Sequence, residues 1–176
     1  MSEQPLVMAV ASYASTPAAR RDLDALSQAS RARPLAAVAT ALLVKGRDGR
    51  LTIDLHDNTA EHLPWGGALL GGPLTVIATP VGIRYLVSML TSTTGWAGVG
   101  VIADHVWHDI PRQQLRQMSD LLEAAQSALV VVAVDRDRDA IGALLTEARV
   151  KVITDSIWAD LDLECACAID QASESR

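Results

Sequence analysis

Residues 36–56, AAVATALLVKGRDGRLTIDLH, contain two apolar segments separated by a short turn of glycines and charged residues. The first segment, residues 36–45, is an apolar run that ends in a lysine. In the second, residues 50–56, apolar and polar residues alternate, which is typical of a half-buried strand. The turn Gly46-Arg-Asp-Gly49 places glycines where a tight turn uses a positive φ. The stretch therefore predicts a β-hairpin and, with it, an antiparallel pair of strands.

The chain before this hairpin predicts one strand followed by one helix. Residues 6–13 form a short apolar run, which indicates a buried strand. Ser15-Thr-Pro17 supplies a hydroxyl for helix capping and a proline suited to a first helical turn. Residues 18–31 then have a helical pattern, which Pro34 ends.

The chain after Asp104 predicts helices and strands in alternation. Pro111 begins an amphipathic helix over residues 112–126. Residues 127–134, SALVVVAV, are a continuous apolar run of the kind found in central strands. A further helix over residues 140–148 and a strand over residues 150–153 follow.

The order of these elements predicts an α+β fold. The first six are the βαββαβ order of a ferredoxin-like sandwich, which is one antiparallel sheet with its helices on one face. An appended αβ unit follows, so residues 1–157 form one ferredoxin-like domain with an insertion at residues 63–103. Residues 158–176 are a C-terminal helix or tail. Their alternating apolar residues fit a strand, but their alanines and the cap-like Asp155-Ser156 favour a helix.

The insertion, residues 63–103, differs from the rest of the chain in its chemistry. It holds eight of the eleven glycines and a single charged residue, Arg84. We expect a glycine-rich helical hairpin with its turn near Arg84. Such a segment must be buried in the protein's own core, in a partner chain or in a bilayer, because its apolar surface would otherwise face water.

The overall charge and the cysteines bound the functional class. The net charge is −6, which argues against unspecific nucleic-acid binding and against an electrostatic anchor on anionic lipid. Cys165 and Cys167 lie too close for an ordinary disulfide framework, and no signal peptide is found at the start. The sequence therefore predicts a cytoplasmic protein, without a cofactor, and with an inner-membrane location as the alternative.

Several stretches of the chain together resemble one bacterial family. They are the hairpin turn, Trp65-Gly-Gly-Ala-Leu-Leu-Gly-Gly-Pro73, Ile110-Pro-Arg112, the apolar run at 127–134 and Val152-Ile-Thr-Asp-Ser156. The family is domain-of-unknown-function family 1269, often described as predicted membrane proteins because of a glycine-rich centre. The resemblance spans roughly residues 5–157. It implies no catalytic residues.

The insertion also carries the predicted interaction residues. Gly67 and Gly71 form a G-x-x-x-G pair, and Ala68 and Gly72 repeat the spacing. On a helix, such small residues line a groove that a second helix can approach closely. The predicted interaction surface consists of these four residues with Trp65 and Trp96.

Membrane insertion of the same segment is the alternative. The uncharged runs on either side of Arg84 are each long enough to cross a hydrocarbon core. Two prolines, Pro73 and Pro80, and the polar stretch at residues 88–94 count against it, as does the charge of Arg84.

A histidine pair next to the insertion suggests a second alternative. His105 and His108, on nearly one face of a helix, could bind a metal together with Asp104. Metal sites usually need a third ligand, and His56 and His62 are the only spare imidazoles. A polar cap where the insertion rejoins the domain is therefore the simpler interpretation. The sequence thus favours a non-enzymatic, self-associating protein over a membrane-anchored protein or a metal- or small-ligand-dependent enzyme.

Overall fold

The computed structural model describes residues 4–32, 37–47, 49, 51–58, 110–134 and 139–159. The elements in these ranges, in chain order, are β1 (Gln4–Tyr13), α1 (Thr16–Ala32), β2 (Ala37–Lys45), β3 (Leu51–Asn58), α2 (Arg112–Ala124), β4 (Ser127–Val134), α3 (Ala140–Leu144), β5 (Val150–Ile153) and β6 (Ile157–Ala159). The predicted α+β class is confirmed.

The predicted hairpin is formed by β2 and β3. The two strands pair antiparallel, with Lys45 opposite Leu51 next to the turn. Gly49 has a φ of 79°, and its N–H donates to the carbonyl oxygen of Gly46 at 3.0 Å. The register shifts between Leu42 and Leu43, where Asp54 is an extra residue on β3. The glycine pattern therefore predicted both the turn and the pairing, and the bulge adds local twist.

The strands form one antiparallel sheet in the order β3-β2-β4-β1-β5, and β6 also pairs with β1. Helix α1 connects β1 to β2, which point in the same direction with β4 running oppositely between them. Helix α3 connects β4 to β5 in the same manner, with β1 between them. The two connections interlock, so β1 and β4 lie at the centre of the sheet.

The two faces of the sheet are covered by different helices. Odd-numbered residues of β1 and β4 share a core with Leu23 and Leu26 of α1 and with Ile141 of α3. We call this side the α1 face. Even-numbered residues of the same strands point to the opposite side, which we call the α2 face because α2 contacts β1 and β5 there. The expectation that the helices lie on one face is therefore wrong for α2.

The residues of β4 explain why both faces need a cover. All eight side chains of this strand are buried. A strand that alternated apolar and polar residues would leave one side to water, but the run SALVVVAV is apolar on both sides. The sheet can be stable only as the middle layer of the fold.

Two elements near the C-terminus differ from the sequence-based expectation. Helix α3 ends at Leu144, earlier than the expected residue 148, because the chain turns there to place the N–H of Glu147 on a carboxylate of α1. Residues 157–159 form β6, where the sequence favoured the start of a helix. The remainder of the 158–176 prediction lies outside the described residues.

Candidate functional site

The residues predicted to carry function lie outside the described part of the chain. This holds for the proposed metal ligands His105, His108 and Asp104, and for Cys165 and Cys167. It also holds for the predicted interaction residues Gly67, Ala68, Gly71, Gly72, Trp65 and Trp96. These assignments therefore stay predictions.

A buried carboxylate, Asp22, is the centre of a polar cluster on the α1 face. Asp22 is 1% exposed. Together with Ala19, Leu23 and Leu26 it follows the i, i+3, i+4, i+7 spacing of the buried stripe of α1. A carboxylate in an apolar stripe needs hydrogen-bond donors, because burying an unpaired charge is costly. This spacing is the signal in the sequence that points to Asp22, although Asp22 is not among the predicted functional residues.

Three donor residues from two parts of the fold converge on Asp22. The hydroxyl of Tyr13, at the end of β1, donates to Oδ2 at 3.0 Å. The hydroxyl of Thr146 donates to Oδ1 at 3.3 Å. The backbone N–H of Glu147 approaches both oxygens, at 3.2 Å and 3.0 Å. The carboxylate thereby ties the end of β1 and the loop between α3 and β5 to helix α1.

The environment of Tyr13 fixes its protonation state. Burial raises the pKa of its hydroxyl, and the negative charge of Asp22 and the hydrogen bond to it raise the pKa further. The Tyr13 hydroxyl therefore stays protonated at pH values well above the ordinary pKa of tyrosine. It cannot serve as a base at neutral pH. The pair of a tyrosine donor and a carboxylate acceptor acts as a structural tie.

Two solvent-exposed ion pairs connect helix α1 to other parts of the fold. Arg21 pairs with Glu147 at 2.8 Å, and Arg20 pairs with Asp54, the bulge residue of β3, at 2.6 Å. The hydrogen bond and charge of Glu147 raise the pKa of the Arg21 guanidinium. Because both pairs are exposed to solvent, they orient α1 more than they stabilise it.

Thr154 lies between β5 and β6 and hydrogen-bonds to β1 where the strand pairing is interrupted. Its hydroxyl oxygen accepts the N–H of Met8 at 3.0 Å, and its own N–H donates to the carbonyl oxygen of Met8 at 2.9 Å. One buried threonine thus satisfies both backbone groups of Met8 where the ladder would otherwise be interrupted. Within the stretch Val152 to Ser156, Thr154 has this structural role.

The described residues offer no further grouping that points to metal chemistry or to a membrane span. Within the ranges given above, three or more His, Cys, Asp or Glu side chains do not come together as metal ligands. Among the helices described, none is long and apolar enough to cross a membrane. The buried polar residues Asp22 and Thr154 of this part of the chain are held by hydrogen bonds within the fold.

Comparisons of the chain with models of protein families, with curated proteins and with solved structures find no match. The family resemblance of the sequence therefore remains an expectation.

Proposed function

We propose that this chain is a non-enzymatic cytoplasmic protein that self-associates through residues 63–103. The observation that carries the proposal is the chemistry of this segment and its place in the fold. It has one charge, Arg84, and it connects the end of edge strand β3 to helix α2. An apolar stretch of this length that stayed exposed on a monomer would be unusual for a soluble protein.

The edge strands of the described sheet disfavour strand pairing between copies, which supports association through residues 63–103 instead. Strand β5 has four residues, and two exposed cations, Arg149 and Lys151, lie at or beside it. Lys151 is also engaged with its own chain, because its Nζ donates to the carbonyl oxygens of Gly142 and Leu145. Short, charged edge strands resist pairing with another chain.

The other edge strand, β3, is protected in a different way. The bulge at Asp54 bends the strand, and Arg20 holds the Asp54 carboxylate on the α1 face. Bulges and inward charges are features by which edge strands avoid pairing with other chains. With β3 and β5 protected in these ways, the apolar insertion is the better candidate for contact between copies.

We also propose a ferredoxin-like arrangement. Its strands and helices are not the first six elements of the chain, from which the sequence predicted the βαββαβ order. The units β1-α1-β2 and β4-α3-β5 would form the two interlocked βαβ halves, in the sheet order β2-β4-β1-β5. Strand β3 would then be an added edge strand, and α2 part of the connection to β4. The interlocked connections and the antiparallel order support this assignment.

Light scattering after size-exclusion chromatography, on protein extracted without detergent, tests self-association. We expect a discrete oligomer in the wild type and a smaller species in Gly67→Leu and Gly71→Leu, because leucine would fill the close-contact groove. Gly46→Leu, in the exposed hairpin turn, is the matched control and should leave the oligomer intact. A wild-type monomer at every concentration contradicts the proposal.

Two other outcomes would favour the alternatives. Protein recovered only from the membrane pellet, and only with detergent, would indicate that the same segment anchors the chain in a bilayer. Stoichiometric metal after purification, lost in His105→Ala, would instead indicate a metal-dependent enzyme that uses the His105/His108 pair.

A further inference from the structure

Helix α2 carries its four charged residues in a single stripe. Arg112, Arg116, Asp120 and Glu123 follow one another at spacings of four, four and three residues, and all four are exposed. With 3.6 residues per turn, they lie within an arc of about 80° around the helix axis. We call them the charged stripe. The buried residues of the helix lie on other sides of it and are Met118, Ser119, Leu121 and Leu122.

The signs of the charged stripe oppose the dipole of the helix. The first turn begins with Arg112 and has no acidic residue, and the last turn contains Glu123 and no basic residue. The N-terminus of a helix is partially positive and its C-terminus partially negative, so the reverse arrangement would be the stabilising one. Arg116 also precedes Asp120 by four residues, which is the less favourable order for a pair within one helix. These charges therefore do not serve the stability of α2 itself.

The fold does not neutralise the charged stripe among the residues that the structure describes. In these ranges, Arg20 and Arg21 of α1 each form an ion pair with another element. The four side chains of the charged stripe form no ion pair with a described residue. Their charges are therefore available to another molecule.

The charged stripe is complementary to its own reversed copy. Two positive residues are followed along the helix by two negative ones. In an antiparallel pair of α2 helices, Arg112 of one copy would lie opposite Glu123 of the other, and Arg116 opposite Asp120. The midpoint of the first pair is about 8 Å along the helix from Arg112 and that of the second about 9 Å. One twofold axis near position 118 therefore suits both pairs.

We propose that α2 binds α2 of a second copy of this chain, antiparallel and through the charged stripe. The inference goes beyond the proposed function, because it assigns a contact to a surface of the described fold and does not require residues 63–103. The twofold axis gives four ion pairs. Exposed ion pairs contribute little energy each and are screened by salt. The contact therefore determines the orientation and register of two copies more than their affinity.

The mixture of signs selects a second copy over other partners. A nucleic acid or an anionic lipid surface would attract Arg112 and Arg116, but it would be repelled by Asp120 and Glu123 and by the net charge of −6. A cationic partner would meet the opposite problem. A second copy of α2 presents both signs at the required spacing.

Carbodiimide cross-linking of the full chain tests the proposal. Arg112→Lys introduces an amine, which carbodiimide couples directly to a neighbouring carboxylate. Positions 112 and 123 are about 16 Å apart along one helix, so a link between position 112 and Glu123 joins two copies. An equal mixture of unlabelled and ¹⁵N-labelled protein is cross-linked, digested and analysed by mass spectrometry. We expect this link in mixed-isotope pairs at low salt and its loss at high salt.

Charge changes at the central pair supply the controls. In the Arg112→Lys background, Arg116→Asp should remove the link, because two negative charges then meet Asp120 and Glu123 of the other copy. Adding Asp120→Arg should restore the link, since the pair is complementary again with its signs exchanged. Arg47→Asp, the same change of charge in the exposed hairpin turn, should leave the link intact. Circular dichroism verifies that each variant is folded.

The possible outcomes separate this proposal from the proposed function. No link between position 112 and Glu123, or a link that Arg116→Asp leaves unchanged in folded protein, overturns the contact between the helices. An oligomer in light scattering without this link contradicts the contact and leaves the proposed function standing. A salt-sensitive link, in a protein whose size Gly67→Leu and Gly71→Leu do not change, supports the contact and contradicts the proposed function alone.

Discussion

At the scale of single residues, Asp22 is a buried carboxylate whose hydrogen bonds come from uncharged donors. Its oxygens accept hydrogen bonds from the hydroxyls of Tyr13 and Thr146 and from the N–H of Glu147. Hydrogen bonds to an ionised group contribute more to stability than neutral ones, and a buried group that loses its partner costs more still. The cluster should therefore contribute measurably to folding.

A double-mutant cycle measures this contribution. We expect Tyr13→Phe to lower the free energy of unfolding by about 1–2 kcal/mol and Asp22→Ala by about 2–4 kcal/mol, because the second change leaves the buried Tyr13 hydroxyl without an acceptor. The double variant should lose less than the sum, since the pair is coupled. Urea denaturation provides the values. Additive losses would contradict the coupling, and Arg21→Gln, at the exposed pair, should change little.

Tyr13 also predicts a dependence of stability on alkaline pH. Its pKa is raised in the folded chain, so the unfolded chain loses the tyrosine proton first, at pH about 10. The contribution of Tyr13 is therefore fully present below about pH 10 and is lost as the pH rises above it, by up to about 1.4 kcal/mol per pH unit. Urea titrations of wild type and Tyr13→Phe between pH 8 and 11 should show a smaller decline in the variant. Parallel curves would contradict the raised pKa.

At the scale of elements, the β2–β3 hairpin depends on one backbone conformation. Gly49 has a positive φ of 79°, which residues with a Cβ adopt only at a cost. We expect Gly49→Ala to lower the free energy of unfolding by about 1–2 kcal/mol. Gly46→Ala in the same turn, where φ is not positive, should be neutral or slightly stabilising. Thermal denaturation compares the two, and equal losses would show that the turn tolerates either residue poorly for another reason.

The sequence predicted most described elements because their signals are local. The run SALVVVAV and the short VKVI each match the strands observed, and the glycines of the hairpin turn fix its position. The end of α3 could not be predicted, because it depends on Asp22, which lies far away in the sequence. Strand β6 likewise depends on its pairing with β1. Contacts between distant residues overrode the local preference in both cases.

At the scale of the whole molecule, the order of the strands in the sheet could not be predicted from sequence patterns. The hydrophobic pattern of β1 and β4 indicates burial, but it does not say that β4 inserts between β1 and β2. The sequence of β4 did indicate that both faces of the sheet are covered, because an apolar run without alternating polar residues requires contacts on both sides.

The two cores of the sheet can be compared at one strand. Val131 and Val132 are neighbours on β4, both 0% exposed, and they point to the α1 face and the α2 face respectively. We expect Val131→Ala and Val132→Ala each to lower the free energy of unfolding by about 1.5–3 kcal/mol, because each removes buried methyl groups and leaves a cavity. If the α2 face is covered within one chain, the loss at Val132 is the same at low and high protein concentration. Urea denaturation over a hundredfold range of concentration, with Val131→Ala as the matched control, checks this. A loss at Val132 that changes with concentration while the loss at Val131 does not would mean that a second copy forms that core.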